Sequence, residues 1–91
     1  MTKELKAFKE HFESWCDIKV QLTIEDKRTP HWKRLVFDSM DCDDMEGISN
    51  YIHNTFSNKG RYSHKLPTLG VHNGFLCLTV DVAQIKEKIL V

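Results

Sequence analysis

Five histidines and three cysteines are the side chains here best suited to bind a metal or move a proton. They are His11, His31, His53, His64 and His72, with Cys16, Cys42 and Cys77. Zinc centres are built from short paired spacings such as CxxC, HxxxH or HExxH, which put two ligands on one turn or helix face. None of these spacings occurs in the chain, so no metal is expected, and each cysteine reads as a small buried hydrophobe. The sequence also lacks a nucleophile elbow, a phosphate-binding loop and a dinucleotide fingerprint, so no cofactor is expected. His64 is the histidine to watch for acid–base work, because it sits in an irregular loop beside Arg61 and Lys65.

Charge is segregated along the chain although Lys plus Arg and Asp plus Glu both number 13. Lys27, Arg28, His31, Trp32, Lys33 and Arg34 form one basic segment, and Lys59, Arg61, Tyr62, His64 and Lys65 form another. If two strands each begin just after these segments and run the same way, both segments share one pole. Asp38, Asp41, Asp43, Asp44 and Glu46 would then gather at the opposite pole. A basic pole with interleaved Trp32 and Tyr62 suits a phosphate or a stacked base. Solvated loops and a helix's first turn carry the same residue types without any ligand.

The elements that would position these groups are legible from periodicity. Thr2 caps a first helix with Leu5, Phe8, Phe12 and Trp15 on one face. From Asp17 a strand is expected, with Ile18, Val20, Leu22 and Ile24 inward and Lys19, Gln21 and Thr23 toward water. Residues 26–30 form a turn, and a second strand, antiparallel to the first, runs from Trp32 to Met40. Asp43 with Glu46 resembles a capping box for a second helix that buries Met45, Ile48, Ile52 and Phe56 and stops near residues 58–60. Asn73-Gly74 is the preferred pair for a type I′ turn. The pairing it sets is His72 with Phe75, Val71 with Leu76, Gly70 with Cys77, Leu69 with Leu78 and Thr68 with Thr79. Pro67 marks the start or the edge of that hairpin. Asp81 caps a last helix, with Gln84 at the capping-box position and Val82, Ile85 and Ile89 inward.

The resulting order is α-β-β-α-β-β-α, a single α+β domain over residues 1–91 with a four-stranded, mainly antiparallel sheet and helices on one face. Its polar outer face suits water, so an edge strand is the expected contact if a homodimer forms. The zero net charge excludes a whole-domain basic field for nucleic acid. No stretch approaches the ~18–20 apolar residues of a membrane span. Three widely spaced cysteines do not form a disulfide framework, which points to the cytoplasm.

The element order, with His64 and Pro67 after the second helix and Val71–Asn73 beyond them, resembles that of the pterin-4a-carbinolamine dehydratases over the C-terminal half. The resemblance implies a small dehydratase-like enzyme using His64. In that family a second histidine follows the first, where this chain has Lys65, and a third is expected where Leu76 or Cys77 stands. The reading placed first is therefore a non-catalytic binding or regulatory protein. It would act on another protein as an inhibitor or adaptor of the kind phages and mobile elements carry. Nucleic-acid or phosphate binding at the basic pole comes second.

Overall fold

The computed structural model describes residues 2–37, 42–57 and 66–90. Seven elements follow in the order α1 (Lys3–Cys16), β1 (Leu22–Glu25), β2 (Trp32–Val36), α2 (Cys42–Phe56), β3 (Thr68–His72), β4 (Phe75–Asp81) and α3 (Val82–Lys88). The strands form one antiparallel sheet in the spatial order β1-β2-β4-β3. The fold class and element order are those expected from the sequence.

Local chemistry accounts for most element ends. The Thr2 hydroxyl accepts from the Leu5 N–H at 3.3 Å, which starts α1, and Leu5, Phe8 and Phe12 are buried. Asp17 ends the helix in the left-handed region (φ 56°), its N–H donating to the Glu13 carbonyl at 3.1 Å. It is thus a helix cap and not the start of a strand. Trp15 stands in the last turn before this bend, and it is 47% exposed where the helical stripe predicts burial. Asn73 (φ 50°) and Gly74 (φ 85°) both hold the positive φ of a type I′ turn, and the β3–β4 register matches the predicted pairs residue for residue. Pro67 precedes β3, which is an edge strand. The Asp81 carboxylate accepts from the Ala83 N–H at 2.8 Å and caps α3, whose Ile85 is buried while Val82 and Ile89 are half-buried.

Three expectations need correction. The first strand begins only at Leu22, because the Val20 N–H is taken by the Glu13 carboxylate of α1 (3.2 Å) instead of a neighbouring strand. Ile18 and Val20 still pack on the core, but the inward positions shift by one before the ladder begins. Leu22 and Ile24 pair with Val36 and Arg34, while Thr23 pairs with Leu35 on the helix side. The second correction concerns α2, which starts at Cys42, so Asp43 lies inside the first turn and is not its cap. Its buried stripe is Ile48, Tyr51, Ile52 and Phe56, an i, i+3, i+4, i+8 pattern that includes Tyr51 and leaves Met45 39% exposed. Thirdly, β2 ends at Val36. Phe37 adds one further bond, its N–H donating to the Leu76 carbonyl at 2.8 Å. Residues 38–40 of the expected strand and the expected stop at 58–60 lie outside the described residues.

The core lies between the sheet and the helices. Leu35, Phe37, Leu78 and Val80 of the sheet meet Leu5, Phe8 and Phe12 of α1, Ile48, Tyr51, Ile52 and Phe56 of α2, and Ile85 of α3. Phe12 is central, with ring centroids 5.3 Å from Phe37 and 5.1 Å from Tyr51.

Candidate functional site

Strand parity assigns every residue of the sheet to one of two faces. The residues that alternate with Leu35, Leu78 and Val80 point away from the helices. On β1 and β2 these are Leu22, Ile24, Trp32, Arg34 and Val36. On β3 and β4 they are Thr68, Gly70, His72, Phe75, Cys77, Thr79 and Asp81. The outer face is therefore not the polar surface predicted from Lys19, Gln21 and Thr23. The one-residue shift before β1 brings Leu22 and Ile24 onto it in their place.

This face has an apolar centre with an exposed apolar rim. Val36 and Cys77 are buried yet belong to no part of the helix-side core. Leu22 (52% exposed), Phe75 (41%) and Trp32 (44%) stand around them. Gln21, Leu22, Val36, Phe37 and Phe75 line a groove of about 290 Å³ at one end of the face. Trp32 occupies the other end, opposite Asp81.

Arg34 lies between these two ends. Its Nη1 donates to Nδ1 of His72 at 2.9 Å, which requires the neutral tautomer with its proton on Nε2. Its Nε is buried and has no hydrogen-bond partner among the described residues. Among the described residues no carboxylate forms an ion pair with Arg34, whereas exposed Arg28 pairs with Asp26 at 3.5 Å. The Asp81 carboxylate is already engaged at the α3 cap.

The other sequence-derived candidates divide between surfaces. Lys27, Arg28 and His31 are exposed in the β1–β2 connection, which Asp26 stiffens by accepting from the Arg28 N–H at 2.8 Å. That bond, with the Arg28 guanidinium nearby, holds the Asp26 carboxyl below its ordinary range. Lys33, in the same basic run, points to the helix side and is buried opposite Glu25, whose carboxylate accepts from the Thr2 N–H. β2 and β3 run parallel to each other, one strand apart, so both start at the same end of the sheet. Lys59, Arg61, His64 and Lys65 lie outside the described residues, as do Asp38 and Asp41. Asp43 and Asp44 fall in the first turn of α2, and Glu46 is exposed one turn further. Among the described residues no three His, Cys, Asp or Glu side chains are grouped to hold a metal, and no helix is long and apolar enough to cross a membrane.

A polar pair on the helix side was missed by sequence reasoning. Nδ1 of His11 lies 2.9 Å from the hydroxyl of buried Tyr51. Burial pushes the phenol far above its usual range and lowers His11 from 6.5, so a phenol donating to a neutral imidazole is the stable arrangement. The spacing of forty residues leaves no local signal for it. Cys16, pushed up to about 11 by burial, has its thiol 3.6 Å from the Gly47 carbonyl and is a packing residue, not a nucleophile.

The His11 shift sets a pH dependence of stability. The folded-state value is depressed, so below 6.5 the unfolded chain binds more protons and stability falls as the pH drops. Above 6.5 the His11 contribution is fully present. The lowered carboxyls of Glu25 and Asp26 act in a separate window, from their ordinary 4.5 and 3.8 downward. Thermal melts between about pH 7.5 and about pH 5.5 are expected to show a declining midpoint for the wild type and a flatter profile for His11→Gln. Equal slopes for the two proteins would remove His11 as the cause.

Comparison with protein-family models, with curated proteins and with solved structures gives no match.

Proposed function

We propose that this chain is a non-catalytic binding protein that acts by docking another protein on the outer face of its sheet. The observation that supports this reading is the placement of Leu22, Trp32 and Phe75, all more than 40% exposed, on the same face as buried Val36 and Cys77, a face that no helix covers among the described residues. Large apolar side chains scattered singly need no explanation, but a grouped set on one face marks an interaction surface. An inhibitor or adaptor working in the cytoplasm is the form this function takes in our reading. The chemistry at hand agrees with it: His11 is engaged with Tyr51 and Cys16 is held protonated. The dehydratase alternative rests on His64, which Lys65 follows where that family carries a second histidine.

Site-specific photocrosslinking in native cells tests the reading. With Phe75 replaced by p-benzoylphenylalanine, a discrete protein adduct is expected. The same group at exposed Glu10 on α1 should give none, and adding Trp32→Ala should remove the adduct. Identical adducts from both positions would sink the proposal.

A second reading, phosphate or nucleic-acid binding at the basic pole, is favoured by the shared end at which β2 and β3 begin. Exposed Lys27 and Arg28 stand at that end. It requires an affinity for polyanions that falls as salt rises and weakens in Arg28→Glu.

A further inference from the structure

The partner's chemistry can be specified further, on the reading that a protein docks on the outer sheet face. We infer that the segment seated there is a short apolar stretch carrying an Asp or Glu carboxylate aimed at Arg34. Trp32 lies on one side of Arg34 along β2, and Leu22 and Phe75 lie toward the other end. The guanidinium reaches from β2 across to His72, the cross-strand partner of Phe75, so a segment seated on Phe75 lies beside it. A neutral apolar segment would bury that charge with His72 as its one hydrogen-bond partner among the described residues, which is strongly unfavourable for an unpaired ion. A carboxylate turns the same burial into a charge-assisted hydrogen bond, for which the guanidinium has donors to spare beyond the one given to His72.

Two other occupants fit less well. A second copy docked face to face about a two-fold axis would place Arg34 near Arg34 of its mate, since the residue is central on the face. Among the described residues the carboxylate on this face is Asp81, which sits at the Trp32 end and holds the α3 cap through the Ala83 N–H. A nucleic-acid strand brings many phosphates and needs several cations, whereas this face presents one guanidinium among apolar groups. The patch spans three inter-strand gaps, roughly 14 Å, and the length of β4 from Phe75 to Asp81, roughly 20 Å. That is well under the roughly 800 Å² per partner of a standard interface, which suits a short segment.

Panning a display library of random short peptides against the intact chain tests this directly. Enriched peptides are expected to share an Asp or Glu flanked by aliphatic or aromatic residues, and to bind Trp32→Ala more weakly. In a fluorescence-anisotropy titration, changing that Asp to Asn or Glu to Gln in the peptide should weaken binding by about tenfold or more. This comparison leaves the protein untouched, so it stands even if Arg34→Gln fails to fold. A folded Arg34→Gln should remove the difference between the acidic and neutralised peptides. If Trp32-dependent peptides emerge but the neutralised versions bind equally well, the acidic inference is overturned and the docking face survives. If no enriched peptide depends on Trp32, both fail. Displacement of the peptide by a single-stranded oligothymidine would overturn the protein-segment assignment in favour of nucleic acid.

Discussion

Phe12→Ala is expected to cause a large loss of stability in the domain. The ring is fully buried in the core between the sheet and the helices, against Phe37 of the sheet side and Tyr51 of α2. Truncating a buried phenylalanine costs about 3–5 kcal/mol, because the lost burial is compounded by a cavity that neighbours fill only in part. A domain of this size has about 5–15 kcal/mol in total, so the change removes at least about a fifth of its stability and up to all of it. At about 4–8 °C per kcal/mol, the melting midpoint falls by well over ten degrees. Circular dichroism melts and urea titrations check it. Trp15→Ala supplies the control: the two residues share the predicted stripe, but Trp15 is half-exposed and should cost much less. Comparable losses from the two variants would refute the position given to Phe12.

Tyr51→Ala is expected to be nearly as damaging, and Tyr51→Phe mild. Tyr51 is fully buried, and its ring meets Phe12, Trp15, Phe56 and His11 at centroid distances of 5.1, 5.7, 6.0 and 5.5 Å. Removing the ring opens a cavity among all four, again about 3–5 kcal/mol. Removing only the hydroxyl deletes the bond to His11, about 1 kcal/mol near neutral pH. Phe12 and Tyr51 touch, so the double variant Phe12→Ala/Tyr51→Ala should cost measurably less or more than the sum, with a coupling of about 0.5–3 kcal/mol. Strict additivity in a chemical-denaturation cycle would contradict the packing described here.

The tests of function do not depend on these core variants. Trp32, Arg34 and Phe75 lie on the face away from the helix-side core, so surface truncations there should change binding while leaving the fold intact. Arg34 is the exception, being half-buried with its Nη1 bonded to His72. Neutralising the peptide carboxylate therefore probes the Arg34 contact without altering the protein.

Local order was readable wherever a short-range rule decides the structure. Thr2 and Asp81 cap their helices through side chains two or three residues away, and the Asn73-Gly74 turn sets the whole β3–β4 register through its own backbone angles. Tyr51 could have been found by the same reasoning, since it lies three residues after Ile48 on the buried stripe. The nature of the outer face could not. It turns on the one-residue shift between Val20 and β1, where the Glu13 carboxylate of α1 takes the Val20 N–H just ahead of the strand. Alternation continues unbroken through Ile18, Val20, Leu22 and Ile24 in the sequence, so nothing local announces the change. The His11–Tyr51 and Arg34–His72 pairs belong to the same class, since their partners come together only when distant elements pack. Sequence alone thus determined the elements, their order, two helix caps and one hairpin. Tertiary packing decided which side of β1 faces water, and with it the surface on which a function can be built.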